Sequence, residues 1–252
     1  WQLALDECQK ALNLGNVELM DLNSFPGREE NRYILDVENP EIIFTQGYSA
    51  TNVFYKNISY FTICSFSCSE ELISLYNSFD DQVIKDLRLN AFFEDNGDEQ
   101  YRVSKVGEKV YDCFAIRSVE LYLNKAEAAM ELGKTGDAAT ALNMVRERAG
   151  IRTLSAGEVS LDRIRNERRV ELAYENHRHW DLKRWHIAHI KMADFPTMAL
   201  YPWYIWGEGK YIFTTGKAPK PNKVFLERNY YIKIKDSDMG SNPMLAPNNP
   251  GF

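Results

Sequence analysis

The feature that most constrains the fold is a pair of apolar stripes with helical spacing between residues 116 and 150. Apolar side chains recur at intervals of three and four, and Gly133 and Gly150 stand where a helix commonly ends in a left-handed residue. The pattern predicts a helix over about 116–130 and a second helix capped by Asp137, joined as an antiparallel hairpin. Small residues on the facing stripes allow the helix axes to approach closely: Ala126, Ala129, Ala138 and Ala141.

Two shorter helices are predicted nearer the start of the chain. An apolar face repeats from Trp1 to Leu12, and Gly15 follows as a C-terminal cap. Ser69 can cap a short helix that buries Leu72, Leu75 and Tyr76. The helix pair at residues 116–150 is typical of tetratricopeptide-like proteins, although no second copy follows at a fixed period.

The remaining segments read as loops with a few strands. Residues 41–44 form a plausible strand, and residues 95–98 a turn. The tail from Tyr201 is aromatic, rich in glycine and proline, and predicted to contain little strand. We therefore expect one mainly α domain over residues 1–252, with a helical scaffold at about 1–15, 69–80 and 115–190 and loop-rich regions at about 21–66 and 195–252.

Composition excludes several classes of protein. The chain has 252 residues, with 30 Lys and Arg against 36 Asp and Glu, and this acidic balance does not suit a nucleic-acid binder. No stretch approaches the roughly 20 apolar residues of a membrane-spanning helix. Four cysteines are too few for a disulfide scaffold at this length.

A third long helix, capped by Ser160 and running through Glu175 toward Ile190, carries many charges of both signs. Glu171 and Glu175 lie one turn apart, as a catalytic acid–base pair would. Nearby arginines favour the ionised carboxylate, which disfavours a general acid. We expect a structural ion-pair network. Its predicted pairs, each three residues apart on a helix, are Arg168 with Glu171, Arg178 with Asp181, and Asp181 with Arg184. Trp180 and Arg184 could also stack.

The four histidines fall in or just after the same stretch: His177, His179, His186 and His189. His186 and His189 could share a metal from one helix face, but no H-E-x-x-H spacing occurs. We expect no metal and no cofactor.

Three blocks of sequence together resemble the SusD/RagB-type proteins of Bacteroidetes. The most specific is IRNERRVELAYENHRHWDLKRW at residues 164–185. The helix pair before it and the C-terminal residues are also similar to the family: 116–128, 146–150, 242–245 and 249–252. Residues 41–44 and 86–88 extend the resemblance weakly. The chain departs from the common family pattern at Asn176, at His179-Trp180 and at Ile234-Lys235.

This resemblance implies the C-terminal half of a non-catalytic, nutrient-binding outer-membrane lipoprotein used in polysaccharide utilisation. Such a protein is exposed at the cell surface and anchored by a lipid on an N-terminal segment that this chain does not include. It binds glycans and works with a SusC-type TonB-dependent transporter. The fold implied is SusD-like, with tetratricopeptide-like helix pairs, a large loop-rich region and a few short strands.

A glycan site needs exposed aromatic faces beside hydrogen-bonding groups, usually on loops held by a rigid scaffold. Two segments fit, residues 47–61 and residues 201–207. Their candidate ligand-binding residues are Tyr48, Asn52, Tyr55, Tyr60, Trp203 and Trp206. These rings could instead simply pack the loops onto the helices.

Two other functions remain open at this stage. One is a helical-repeat module that binds protein or peptide on a concave face. The other is a metal-dependent hydrolase that would use Glu175, His177, His186 and His189.

Overall fold

The computed structural model describes most of the chain in eleven stretches. They are residues 1–15, 18–23, 39–47, 72, 75–76, 86–95, 101–103, 112–192, 198–207, 210–217 and 224–252. The contacts group into two compact units, Trp1–Tyr174 and Glu175–Phe252. The single family domain over residues 1–252 stays a prediction.

The first unit is mainly helical, as predicted. Its helices are α1 (Gln2–Leu12), α2 (Leu87–Phe92), α3 (Ser118–Glu131), α4 (Thr135–Arg148) and α5 (Leu161–Glu171). Helix α3 packs against α1, α4 and α5. The largest apolar core lies among these helices, and Val119, Leu123 and Leu142 are among its fully buried members. The burial of this core stabilises the α3–α4 hairpin far more than helix propensity could.

The α3–α4 hairpin confirms the predicted helix pair and its two glycine caps. Gly133 and Gly150 both have φ 71°, a left-handed conformation that glycine adopts at little cost. The four alanines predicted on the facing stripes are buried. Two details were wrong: residue 116 belongs to a strand, and α4 begins at Thr135, so that Asp137 lies in its first turn.

Helix α5 begins where predicted but ends early. Ser160 Oγ accepts a hydrogen bond from the Arg163 N–H (3.2 Å), which confirms the cap. The helix ends at Glu171, so the expected run through Glu175 toward residue 190 is wrong. Tyr174 (φ 63°) and Asn176 (φ 64°) have left-handed backbones, which a continuous right-handed helix cannot accommodate.

Two small antiparallel pairs complete the first unit. Strand β1 (Ile42–Gly47) pairs with β4 (Asp112–Arg117), which confirms the strand predicted near residues 41–44. Strand β2 (Phe93–Asp95) pairs with β3 (Tyr101–Val103). Most of the turn predicted at 95–98 lies outside the described residues. Residues 72, 75 and 76 are helical, and Tyr76 is buried, as the short predicted helix requires.

The second unit contains helices α6 (His177–Arg184), α7 (Ala188–Lys191) and α8 (Asp236–Ser241). Its apolar cluster centres on Leu182, Ala188 and Phe225. Strands β5 (Met198–Ile205) and β6 (Lys210–Lys217) form an eight-pair hairpin, so the expectation of a strand-poor tail was wrong. Short 3-10 turns occur at Glu227–Tyr230 and Pro243–Leu245.

Within the described part of the chain, none of the helices combines the length and apolarity needed to cross a bilayer.

Candidate functional site

Trp206 is the candidate ligand-contacting ring whose position the structure describes. It follows the last paired residue of β5, at the turn of the β5–β6 hairpin. Trp206 is 88% exposed, an unusual state for the largest apolar side chain. An indole displayed on a turn between two paired strands offers a flat apolar face with a polar N–H at its edge. This arrangement suits stacking against the apolar face of a pyranose ring.

Trp203 lies on the same hairpin, in β5 opposite Ile212. The structure therefore places both predicted tryptophans on one hairpin, although the Trp203 side chain is outside the described set. The other four candidates, Tyr48, Asn52, Tyr55 and Tyr60, lie outside the described residues. Their roles stay predictions.

A buried network of arginines and carboxylates occupies the first unit. Among the described residues, its ion pairs join Arg88, Arg117, Arg146 and Arg148 to Glu41, Asp86, Glu167 and Glu171. All eight side chains are at most 4% exposed. Four positive and four negative groups balance, which is the condition for keeping charges away from water.

Glu171 is held from three other elements. Its Oε1 pairs with Arg117 Nη2 (3.2 Å) and with Arg148, and its Oε2 pairs with Arg88 Nη1 (3.3 Å). Glu167 is similarly engaged through both oxygens, with Arg88 at 2.5 Å and Arg146 at 2.9 Å. Both oxygens of each carboxylate are thus engaged by buried arginines. The structural ion-pair interpretation, predicted from sequence for Glu171 and Glu175, is therefore confirmed for Glu171.

Arg88 shows how the network stabilises its charges. Burial alone would lower the pKa of this guanidinium, but the charges of Asp86, Glu167 and Glu171 outweigh burial and raise the pKa well above its ordinary value. Asp86 binds Arg88 bidentately, with Oδ1 accepting from Nε (2.9 Å) and Oδ2 from Nη2 (2.7 Å). Such paired geometry is the strong form of an arginine–carboxylate contact.

The histidines of the second unit pack against aromatic rings. His186 stacks on Tyr230 with ring centroids 4.0 Å apart, and His189 Nδ1 lies 2.8 Å from Tyr230 Oη. Within the described residues no group of three or more metal-ligating side chains occurs. These contacts give the two rings a packing role.

The cation–aromatic contacts of α6 differ from the prediction. Lys183 lies over Trp180 (5.6 Å) and Arg184 over Trp185 (4.7 Å), so the predicted stack of Trp180 on Arg184 was wrong. The predicted pair of Asp181 with Arg184 is confirmed at 2.9 Å.

The sequence profile of the SusD family matches residues 93–252, which is well over half of the chain. The chain belongs to the SusD family. A SusD-like protein P2 of Formosa agariphila is 28% identical over 148 residues, covering 54% of this chain and 25% of that protein. The profile match includes α3 to α5, the β5–β6 hairpin and the C-terminal segment.

Solved SusD-like structures share the fold. A SusD-like protein from Bacteroides fragilis superposes with a TM-score of 0.66 at 20% identity, covering 98% of this chain and 61% of that one. The surface glycan-binding protein A of Bacteroides uniformis superposes with a TM-score of 0.57 at 18% identity, covering 97% and 55%. The chain thus spans a quarter of its curated SusD-like relative and little more than half of these solved structures.

SusD membership confirms two of the predictions made from sequence. The mainly helical, SusD-like fold is one. The other is that the chain is not an enzyme, since SusD-like proteins are non-catalytic.

Two features of this SusD-family chain were missed by sequence reasoning. The hairpin was obscured by Pro202 and Gly207, although β-prone residues on both sides of the sequence Gly-Glu-Gly could have revealed it. The network residues outside α5 were also missed, because apart from the Asp86–Arg88 pair their partners are distant in sequence: Glu41, Asp86, Arg88, Arg117, Arg146 and Arg148.

Proposed function

We propose that this chain is the glycan-binding part of a SusD-family protein that captures nutrient polysaccharide at the bacterial surface. The observation that carries the proposal is Trp206, an 88% exposed indole at the turn of a paired hairpin, in a chain of this family. The Bacteroides uniformis protein that shares this fold is named a surface glycan-binding protein.

The proposed contact is stacking, with polar groups beside the ring to bond sugar hydroxyls. Trp206 and Trp203 supply the rings of the hairpin. Tyr48, Asn52, Tyr55 and Tyr60 supply three further rings and one amide from the sequence that follows β1. The proposed contacts, ring stacking and hydrogen bonds to hydroxyls, are made by the side chains themselves.

The cellular setting belongs to the same proposal. The protein acts at the outer-membrane surface, held there by a lipid anchor. It delivers glycan to a SusC-type TonB-dependent transporter. Family membership supports this setting, and co-purification of the full-length protein with its transporter tests it.

A glycan array with the purified chain tests the site. The variant Trp206→Ala should lose about tenfold or more in affinity, since truncation of a ring at a binding hot spot commonly costs more than 1 kcal/mol. Trp180→Ala is the matched control, because Trp180 is also an exposed indole, at 60%, but lies on α6 beside Lys183. The double variant Tyr48→Ala, Trp203→Ala tests the remaining predicted rings.

The outcomes separate the competing functions. Selective binding that Trp206→Ala loses and Trp180→Ala keeps supports the proposal. Equal loss in both variants contradicts the assignment of the site to the hairpin. If the chain binds no glycan but binds members of a peptide array, the peptide-binding alternative replaces it.

A further inference from the structure

The two units of the chain carry net charges of opposite sign. Residues 1–174 contain 19 Lys and Arg against 29 Asp and Glu, a formal net charge of -10. Residues 175–252 contain 11 Lys and Arg against 7 Asp and Glu, a formal net charge of +4. The net charge of -6 for the whole chain therefore conceals a positively charged second unit.

The segment that contains α6 and α7 supplies most of this positive charge. Residues 177–192 contain four Lys and Arg and one acid, Asp181. Asp181 is buried and pairs with Arg184 at 2.9 Å, whereas the Arg184 side chain is 39% exposed. Lys191 is exposed, and Lys183 is partly exposed. Since the acid is withdrawn from the surface, basic groups dominate the charge that this segment presents to solvent.

The rest of the second unit does not cancel this charge. Residues 224–252 contain three Lys and Arg and three Asp and Glu, so this segment is neutral. Residues 193–223 contain four Lys and two acids, and these contribute to the count alone because their side chains lie outside the described set. Apart from Glu175, each part of the unit is thus neutral or positive.

Arg184 is held in place from two sides. Its Nε donates a hydrogen bond to Asp181 Oδ1 (2.9 Å), and its guanidinium carbon lies 4.7 Å from the centre of the Trp185 ring. A side chain that is fixed before a ligand arrives loses less conformational freedom on binding. Arg184 is therefore a preorganised positive group, and a guanidinium suits the oxygens of an acidic ligand better than an ammonium does.

Trp206 belongs to the same compact unit as this basic segment. A compact unit of this length has a radius of gyration of roughly 12 Å. A polysaccharide of several sugars that stacks one ring on Trp206 therefore extends over other parts of the unit and meets their charges. At physiological ionic strength the Debye length is about 8 Å, so the charge near the polymer matters more than the net charge of the whole chain.

We propose that the glycan bound by the second unit is anionic, a polysaccharide whose sugars carry carboxylate or sulfate groups. Trp206 stacks on one of its rings, and the basic groups of α6 and α7 attract acidic groups further along the same polymer. This inference rests on the proposed function, and it names the class of substrate that the same site takes.

The test uses polysaccharides that share a backbone and differ in charge: polygalacturonate with its methyl ester, and dextran sulfate with dextran. The chain should bind the acidic member of at least one pair about tenfold more tightly, because several exposed ion pairs each contribute modestly. Raising NaCl from about 0.1 M to about 1 M shortens the Debye length from about 10 Å to about 3 Å and should remove most of that preference.

Charge variants test the assignment to α6 and α7. The double variant Lys183→Gln, Lys191→Gln should bind the acidic glycan about threefold or more weakly, since two exposed charges are lost, and the neutral glycan unchanged. The matched control is Lys10→Gln, Lys134→Gln, which removes two exposed positive charges from the first unit and should leave both affinities unchanged. Lys191→Gln alone serves if the first double variant does not fold.

The outcomes separate the inference from the proposed function. An acidic preference that Trp206→Ala loses and that only the α6–α7 variant weakens supports the inference. Equal binding of the neutral and acidic members of both pairs through Trp206, or equal effects of the two double variants, overturns it and leaves the proposed function intact.

Two further probes distinguish an acidic glycan from other polyanions. If duplex DNA or vesicles of phosphatidylglycerol and phosphatidylcholine bind as tightly as the acidic glycans, charge alone accounts for binding and the inference is overturned. Acidic binding that Trp206→Ala retains has the same meaning. If the chain binds none of the glycans, the proposed function is contradicted and the inference falls with it.

Discussion

The two units of this chain differ in how deeply they hold their described ion pairs. In Trp1–Tyr174, a network of four arginines and four carboxylates is buried, and Tyr76 donates a hydrogen bond to the Val170 carbonyl (2.6 Å) inside the core. In Glu175–Phe252, the described pairs Asp181–Arg184 and Lys233–Asp236 each leave at least one side chain more than a third exposed. Large apolar side chains are exposed in both units, among them Leu3, Leu14, Trp180, Trp206, Ile232 and Met244. Burial of charge, rather than exposure of apolar groups, therefore separates the two units.

The C-terminal part of the second unit, residues 232–249, is ordered with little apolar burial. Asn248 donates to the Ile234 carbonyl (2.9 Å) and accepts from the Ile234 N–H (3.0 Å), which replaces a strand pairing by one side-chain amide. Asn249 adds a bond to the Ile232 carbonyl (2.7 Å). Polar contacts of this type fix a backbone while leaving apolar side chains in solvent. The comparison shows that hydrogen bonds can order a segment of backbone without burial of its apolar side chains.

The largest expected effect tests the buried charges of the first unit. Arg88→Leu removes the partner of Asp86, Glu167 and Glu171 and leaves uncompensated negative charge in the core. We expect a loss of roughly 3–5 kcal/mol in the free energy of unfolding. Urea denaturation followed by circular dichroism measures it.

The control for Arg88→Leu is an ion pair of the second unit. Lys233 and Asp236 lie 3.4 Å apart and are half exposed or more. Lys233→Ala should change stability by about 1 kcal/mol or less. Similar losses in the two variants would contradict the contrast between the units.

Whether a feature of this structure could be predicted from the sequence depends on how far apart in the sequence the interacting residues lie. The helices, the cap at Ser160 and the glycines at 133 and 150 were predictable, because the signals lie within a few residues. The breaks at Tyr174 and Asn176 were not, because helical spacing continues through them and the left-handed backbone is imposed by the fold.

The candidate site was predictable in chemistry but not in geometry. Charge neutralisation of Glu171 followed from the density of arginines, whereas its partners Arg88, Arg117 and Arg148 are dispersed along the chain. Trp206 was a candidate because the family resemblance implied glycan binding and the segment 201–207 is rich in aromatic residues. Its place at the turn of a hairpin required the β5–β6 register, which a proline within the strand concealed.

A smaller effect is expected at the aromatic cluster of the second unit. Tyr230 Oη accepts from the His189 N–H (3.1 Å) and bonds His189 Nδ1 (2.8 Å). Tyr230→Phe keeps the ring stacked on His186 but leaves these groups without a protein partner. We expect a loss of about 1–2 kcal/mol in the free energy of unfolding, measured by urea denaturation.

Tyr231→Phe is the matched control for Tyr230→Phe, since Tyr231 is the adjacent tyrosine and is 45% exposed. It should change stability by no more than about 0.5 kcal/mol. Equal effects at the two positions would mean that the hydroxyl of Tyr230 does not order this unit.

The smallest expected effect tests how well the first unit shields the buried thiol of Cys8 from solvent. Cys8 is buried on α1, and burial raises the pKa of its thiol, an effect partly offset by the positive charge of Lys125. At pH 8 the thiolate fraction should therefore be lower than that of free cysteine, and Cys8 should react more slowly with iodoacetamide, as measured on the Cys8 peptide by mass spectrometry.

The sign of the pH dependence follows from the same shift in the pKa of Cys8. Because the folded state favours the neutral thiol, its contribution to stability is complete below the unfolded pKa and is lost as pH rises through the higher folded value. Lys125→Gln removes the charge that lowers the pKa of Cys8, so alkylation should slow further and the pH range over which stability is lost should extend to higher pH. Faster alkylation in Lys125→Gln would instead mean that the Lys125 contact with Gln9 (2.6 Å) keeps α1 closed over the thiol, so that packing outweighs charge at this position.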